Sequence, residues 1–312
     1  MKEIRKIVIA GAGTMGASMG QIFARYGYEV VLYDLFPAAL EKAKNLIAIN
    51  QKTEVAEGIV SAEESAALLA RISYTAEKAC FGEADFVVEA ILEKIDVKHA
   101  FWAEISELVG EDTVLASNTS GLSITKIAEV IKKPERFGGM HWINPPHIIP
   151  LIEVIQGEKT SDETVAVIRD LALAVEKKPV AVKDAPGFAL NRIQLAILRE
   201  CLHIVDEGIA SPEAVDAVMK YGLGLRYACL GPFEVCDLGG LDIFNNIASY
   251  LFADLSDKKE PFGMLADRAA KGEFGVKSGR GFYDYANGRD AEIIEYRDAM
   301  FTKLAKCLYG KE

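Results

Sequence analysis

The chain has 312 residues, 50% of them hydrophobic and 26% charged, an ordinary globular composition long enough to build two cores. Its 46 acidic against 35 basic residues leave a formal net charge of −11, which argues against nucleic acid or an anionic membrane as partner, since both reward a basic surface. Five scattered cysteines (Cys80, Cys201, Cys229, Cys236 and Cys307) without CxxC spacing argue against a zinc site or a disulfide framework and point to a reducing, cytoplasmic setting.

No apolar run approaches the ~20 residues that span a bilayer. The opening KEIRKIVIAGAG is basic and then apolar, but its glycines come too early for a secretory leader, so it reads as a first strand from Lys6 to Ala10. The turn Gly11-Ala12-Gly13-Thr14-Met15-Gly16 follows, then a helix with apolar spacing through Met19, Ile22, Phe23 and Tyr26. A second strand, Glu29 to Tyr33, ends in Asp34. Alone, GxGxxG is a weak signal; between a strand and a helix, with an acid closing the next strand, it is strong. Gly11 permits the tight turn, Gly13 lets the backbone approach a pyrophosphate at the helix N-terminus, and Gly16 allows close packing. Asp34 is then placed to accept hydrogen bonds from ribose hydroxyls. Leu35-Phe36-Pro37 offers no Arg or Lys for a 2′-phosphate, which favours NAD over NADP. A glycine turn without a ligand is the bland alternative.

From Pro37 to Leu69 the chain reads as an Ala-rich helical hairpin, interrupted near Val55–Val60, with Ser61 to Glu64 matching a capping box. It is longer than a minimal crossover, as insertions that contribute to substrate binding are, and it carries Lys42, Lys44 and Lys52 against Glu54, Glu57, Glu63 and Glu64. A solvated charged face is an equal reading. Strands recur at Asp85 to Ala90, Thr113 to Ala116, Phe137 to His141, Ile152 to Ile155 and Val180 to Val182, with helices between the first of them. This alternation predicts a doubly wound, mainly parallel sheet whose ligands bind beyond the carboxyl ends of the strands.

The stretch from Ser117 to Glu153 reads as a turn carrying Ser120, a helix to about Ile131, a strand ending near His141 and a Pro-rich turn that delivers Glu153. An imidazole, with an ordinary pKa of ~6.5, suits a general base near neutral pH. A carboxylate that fixes its tautomer and stabilises its charge makes it a directed one. His141 and Glu153 are the candidates, and a satisfied core histidine is the competing reading. After Asp184-Ala185-Pro186-Gly187 the pattern turns helical, with Ser211-Pro212 starting one helix and a short strand expected near Gly281–Tyr283. The expected organisation is a Rossmann-type domain over residues 1–185 and an all-α domain over 186–312, with apolar content in the second that suggests a homodimer.

At this point seven segments in register, GAGTMG, VVEAILEK with Lys98 beyond it, SNTSGLSIT, GMHWINPP, IEVI, APGFALNR and SGRGFYDY, resemble the L-3-hydroxyacyl-CoA dehydrogenases, including the 3-hydroxybutyryl-CoA enzymes. The resemblance covers nearly the whole chain. It implies a catalytic pair at His141 and Glu153, substrate contacts at Ser120 and Asn191, and NAD contacts at Gly11, Gly13, Thr14, Met15, Gly16, Asp34, Glu93, Lys98, Asn118 and Asn144. It further implies oxidation of a short (S)-3-hydroxyacyl-CoA, with the hydride passing to NAD.

Three departures bear on the substrate. Trp142-Ile143 replaces the family's usual two phenylalanines, and the hairpin stretch KTEVAEGIVS offers only Lys52 for the several charges of CoA. The segment Gly222 to Pro232, with Arg226, is similar to relatives acting on free hydroxy acids, the gulonate and carnitine dehydrogenases and lens lambda-crystallin. Arg226 suits a carboxylate because its planar fork binds both oxygens, or else it pairs with Glu234 or Asp237. A non-catalytic NAD-binding protein is a further reading.

Overall fold

A computed structural model describes residues 3–310. Eight strands form one sheet in the order β3-β2-β1-β4-β5-β6-β7-β8: β1 (Lys6–Ala10), β2 (Glu29–Tyr33), β3 (Ile72–Thr75), β4 (Phe86–Glu89), β5 (Val114–Ser117), β6 (Phe137–Trp142), β7 (Leu151–Gln156) and β8 (Lys178–Lys183). The strand order reverses between β1 and β4, which opens a crevice at the carboxyl ends of those strands. All neighbours pair in parallel except β6 and β7.

The central strands are nearly continuous apolar runs because both faces of the sheet are covered. Ile7, Ile9, Val30, Leu32, Phe86 and Val88 belong to one core, on α1 (Thr14–Arg25), α2 (Pro37–Ala56) and α3 (Ala62–Ala70). Val8, Ala10, Val31, Val87 and Leu115 belong to the other, where α4 (Ile95–Leu108) contributes Trp102 and Ile105 and α5 (Ile124–Ile127) contributes Ile124 and Ile127. The period of two along each strand sorts the residues between them. Between β7 and β8 runs α6 (Asp162–Ala174), N-capped by Ser161.

The glycine turn is fixed by sterics. Gly11 has φ +106°, and a Cβ there would lie 2.5 Å from the Ala90 carbonyl oxygen. A Cβ on Gly16 would lie 1.8 Å from the Gly11 carbonyl oxygen, so α1 can begin this close to the turn only with glycine at that position.

Some elements differ from expectation. The edge strand β3 was hidden because Ile72 is its single buried residue, too little for a strand pattern. The helix before Ile131 is one α-turn, α5, followed by a 3₁₀ turn at Ala128–Val130. The segment Gly281–Tyr283 forms no strand; the chain there makes only isolated bridges, Gly275 with Arg280 and Arg280 with Asp284. The capping box at Ser61 and Glu64 and the cap at Ser211 form as the sequence implies.

By contacts the chain divides between Asn191 and Arg192. The last strand ends at Lys183, but Ala189 and Leu190 are still tied to Glu153, and Asn191 to Ser120. The second unit is helical: it takes most of α7 (Leu190–Asp206), then α8 (Pro212–Val218), α9 (Gly224–Cys229), α10 (Pro232–Gly239), α11 (Leu241–Leu251), α12 (Gly263–Ala270) and α13 (Arg289–Tyr309). No helix among the described residues is long and apolar enough to cross a membrane.

The turn between β6 and β7 is held from beneath by Lys177. Its ammonium donates to the carbonyls of Pro146 (2.6 Å) and Ile149 (3.0 Å) and lies 5.6 Å over the Trp142 ring. Burial pushes the Lys177 pKa down to about 8.

Gly16→Ala loses roughly 1–3 kcal/mol in a denaturant melt because backbone cannot yield to the new methyl, whereas Gly13→Ala, whose Cβ meets nothing within 4 Å, melts like the parent. For Lys177 the charged form is the one that burial penalises, so its cost is present at pH 7 and is relieved as pH rises from about 8 towards the ordinary lysine value. The stability of the parent relative to Lys177→Met therefore rises over that window, on the order of 1–3 kcal/mol; a flat difference rejects the buried ammonium.

Candidate active site

The turn after β1 is built to receive an anion. The first turn of α1 has no side-chain cap and no acidic residue, so its N–H groups are not spent locally. Gly13 and Thr14 are exposed there, Met15 is half-buried, and the space beside Gly13 is open. Asp34 accepts from the Ala12 N–H (2.8 Å) through one oxygen and from the Phe36 N–H (3.0 Å) through the other. Each carboxylate oxygen keeps a further lone pair for a ribose hydroxyl. These residues fit a dinucleotide.

The candidate pair, His141 and Glu153, comes from the one antiparallel step in the sheet. His141 on β6 and Glu153 on β7 are direct register partners, which puts their side chains on one face. His141 Nδ1 lies 2.8 Å from Glu153 Oε2, and both residues are buried. The other Glu153 oxygen accepts the N–H groups of Ala189 and Leu190, each at 2.9 Å, at the start of α7. A carboxylate held this way accepts a hydrogen bond from Nδ1–H, which leaves the Nε2 lone pair free. Phe188, buried with φ +50°, packs against the imidazole at 5.9 Å between ring centroids.

The polar turn after β5 lies at the same sheet edge. Ser120 is exposed; its N–H donates to Glu93 Oε1 (2.9 Å) and its carbonyl accepts from Asn191 Nδ2 (2.6 Å). Burial works to raise the Glu93 pKa, but the Thr119 hydroxyl, the Lys98 charge and the Ser120 N–H outweigh it and hold the carboxyl below its usual range. Asn118 accepts the Trp142 N–H (2.8 Å), tying the ends of β5 and β6, and Asn144 is exposed in the turn beyond. Lys98 has no exposed surface and sits between Glu89 (2.5 Å) and Glu93 (3.2 Å), so it stands behind Glu93 in this structure. Lys52 is exposed on α2 and Arg226 is exposed on α9.

Several supporting residues escaped sequence reasoning. Glu89 is a fully buried acid at the end of β4; its signal was an acid closing an apolar strand, the same pattern that gave Asp34. Asp184 accepts from the Ser123 hydroxyl (2.6 Å) and from the N–H groups of Thr125 (2.8 Å) and Ile124 (3.1 Å). Burial opposes its ionisation, yet these donors hold its carboxyl below the usual range. Nothing in the local sequence pairs Asp184 with a turn some sixty residues away. Among the described residues no group of His, Cys, Asp or Glu could hold a metal ion.

Comparison with known proteins bears on this arrangement. Residues 6–185 match the family described as 3-hydroxyacyl-CoA dehydrogenase, NAD binding domain, and residues 187–285 match its C-terminal domain. The chain is 40% identical over 310 residues to 5-formyl-3-hydroxy-2-methylpyridine 4-carboxylate 5-dehydrogenase of Mesorhizobium japonicum, covering 99% of this chain and 100% of that one. A crystal structure of an enzyme of that name, described as an NAD⁺-dependent dismutase, superposes with a TM-score of 0.91 at 40% identity, over 99% of this chain and 100% of that one. The 3-hydroxybutyryl-CoA dehydrogenase of Clostridioides difficile is 36% identical over 90% of this chain and 99% of its own. The crystal structure of the (S)-3-hydroxybutyryl-CoA dehydrogenase of Ralstonia eutropha gives a TM-score of 0.78 at 35% identity, over 91% and 100%. With both of its parts matched in order, the chain belongs to the 3-hydroxyacyl-CoA dehydrogenase family of NAD-dependent oxidoreductases.

Proposed function

We propose that this enzyme interconverts a hydroxyl and a carbonyl on a small free carboxylate, with His141 as the acid/base group. The observation that carries the chemistry is the buried 2.8 Å contact between His141 Nδ1 and Glu153 Oε2. NAD, when bound, accepts or gives the hydride. His141 Nε2, which has no hydrogen-bond partner among the described residues, takes the hydroxyl proton in oxidation and returns it in reduction. Glu153 stabilises the imidazolium without itself taking a proton. Ser120 and Asn191 hydrogen-bond the reacting oxygen or its carbonyl neighbour. Gly11 to Gly16 and Asp34 hold the dinucleotide, with Glu93, Asn118 and Asn144 toward its nicotinamide end and Lys98 acting there through Glu93.

The choice of a carboxylate rests on Arg226. Its guanidinium has no partner among the described residues, and Glu234, one of the two acids that would have neutralised it, spends its carboxylate on the Gly231 N–H at 2.6 Å. An unpaired guanidinium suits a bidentate anion. The relative from Mesorhizobium japonicum, whose name gives a ring carrying a formyl beside a carboxylate, matches this chain through α13, beyond the end of the family's C-terminal domain at residue 285. The second reading is a short-chain 3-hydroxyacyl-CoA, favoured by the hydroxybutyryl-CoA relatives. Against it, Lys52 is the one cation of its stretch, and neighbouring Glu54 is paired with Arg25 at 2.5 Å.

A cytosolic homodimer completes the proposal. Among described residues of the helical unit, only Leu202, Val215, Val235 and Phe262 are buried apolar side chains, while Phe233 is 84% and Tyr221 81% exposed. That much uncovered apolar surface supports association with a second copy.

Replacing His141 with Ala lowers kcat by roughly 10²–10⁴ with NADH affinity, read by fluorescence titration, unchanged; turnover close to the parent's removes the base assignment. Substrate class is read from NADH oxidation with acetoacetyl-CoA, free acetoacetate and 5-formyl-3-hydroxy-2-methylpyridine 4-carboxylate in parallel. The free acids turn over and the thioester does not. In Arg226→Ala the lost charge-assisted bond costs on the order of 2 kcal/mol, roughly thirtyfold in kcat/KM, borne mainly by KM; an unaffected KM assigns Arg226 no part in substrate binding.

A further inference from the structure

Glu89 is a carboxylate with no exposed surface at the end of β4, and four donors converge on it. Lys98 Nζ (2.5 Å) and the Ile91 N–H (2.8 Å) meet Oε1, while the Ser117 hydroxyl (2.8 Å) and Trp102 Nε1 (3.3 Å) meet Oε2. Ser117 is its register partner on β5, so the sheet itself presents that hydroxyl. Lys98, equally buried, reaches a second carboxylate, Glu93 Oε2, at 3.2 Å. Glu93 is 43% exposed, and its other oxygen accepts the Thr119 hydroxyl (2.5 Å) and the Ser120 N–H (2.9 Å). An unbroken chain of charge-assisted contacts thus runs from the core of the sheet to the turn that carries Ser120.

Such a chain is a costly way to hold a sheet together. Removing an acid and an ammonium from water is repaid only by close pairing, and apolar side chains of the same volume often stabilise as well. The arrangement does something an apolar cluster cannot. Two carboxylates share one ammonium, the inner one at the shorter distance, so the ammonium is placed from inside. The outer acid then offers it only Oε2 and keeps Oε1 for Thr119 and Ser120.

We propose that Glu89 is a positioning residue: acting through Lys98 and Glu93, it fixes the Thr119–Ser120 turn on which substrate contact depends. The proposal rests on the reading of Ser120 as a substrate-contacting residue. With the charge of Glu89 removed, Lys98 has Glu93 as its one remaining anion. Glu93 closes on it and releases the Ser120 N–H, and the Thr119 hydroxyl, which also accepts the N–H groups of Gly121 (3.3 Å) and Leu122 (2.9 Å), loses its anchor.

The test is Glu89→Gln, nearly isosteric and uncharged, read first by hydrogen–deuterium exchange without any substrate. Amides of residues 120–122 exchange about tenfold faster than in the parent, while those of β1 keep their protection. Unchanged exchange at 120–122 overturns the proposal, and so does acceleration spread equally over the sheet. The second readout is a double-mutant cycle in turnover of acetoacetyl-CoA or of 5-formyl-3-hydroxy-2-methylpyridine 4-carboxylate, whichever is faster. Glu89→Gln costs about tenfold in kcat alone but less than about twofold in a Ser120→Ala background; losses that simply multiply overturn it. If Glu89→Gln does not fold, Ser117→Ala, which removes one donor and no charge, must accelerate the same amides at least about twofold, and failure to do so overturns it. Parent-like turnover by His141→Ala condemns the functional reading alone, since the exchange result needs no catalysis.

Discussion

The antiparallel pairing of β6 with β7 is the constraint on which the site depends. In a wholly parallel sheet the residue opposite His141 would arrive by a crossover and belong to a strand running the same way, its own end at the same edge. Reversing the chain through the Pro145–Pro150 turn instead places Glu153 directly across from His141, within hydrogen-bond reach and on the same face. Register is then self-enforcing: a slip of one residue would turn Glu153 into the apolar core that Ile152 and Val154 occupy and take it away from His141. Glu153 also receives N–H groups at the start of α7, so one carboxylate holds an imidazole and a helix start together. The buried pair costs desolvation, and the three bonds it accepts are what make that cost bearable.

Most of this was legible from residues alone, because the signals were local. The glycine turn announces itself through spacing, and its steric reasons reappear in the structure as contacts that a Cβ at Gly11 or Gly16 could not survive. Seven of the eight strands are marked by short apolar runs; in β1, β2, β4, β5, β6 and β7 these are the buried residues of a covered sheet, while β8 is mostly exposed. His141 and Glu153 stand twelve residues apart across one turn, close enough for a hairpin argument.

What stayed hidden was non-local or weak. β3 carries a single buried residue at the sheet edge, and no periodicity can be read from one position. Asp184 reaches back to the α5 cap from the far end of β8, and Glu89 gathers donors from β5 and α4; such partners are decided by how strands stack, which spacing does not encode. Lys98 is the converse case: the resemblance implied a place at the cofactor, and what it could not give is that the side chain lies fully buried between Glu89 and Glu93, because exposure is a property of packing that a motif cannot carry.

An acid that closes the second strand of such a sheet, as Asp34 does, is suited to read a ribose. Here its two oxygens are also fasteners, one on the Ala12 N–H inside the glycine turn and one on the Phe36 N–H at the start of α2. The side chain proposed to read the cofactor therefore also holds the loop in shape. Redesign toward a phosphorylated dinucleotide is not a matter of exchanging an acid for a neutral residue and adding a cation nearby. Whatever replaces Asp34 must still accept two backbone protons from opposite sides, or the anion cradle it is meant to retune loses its shape.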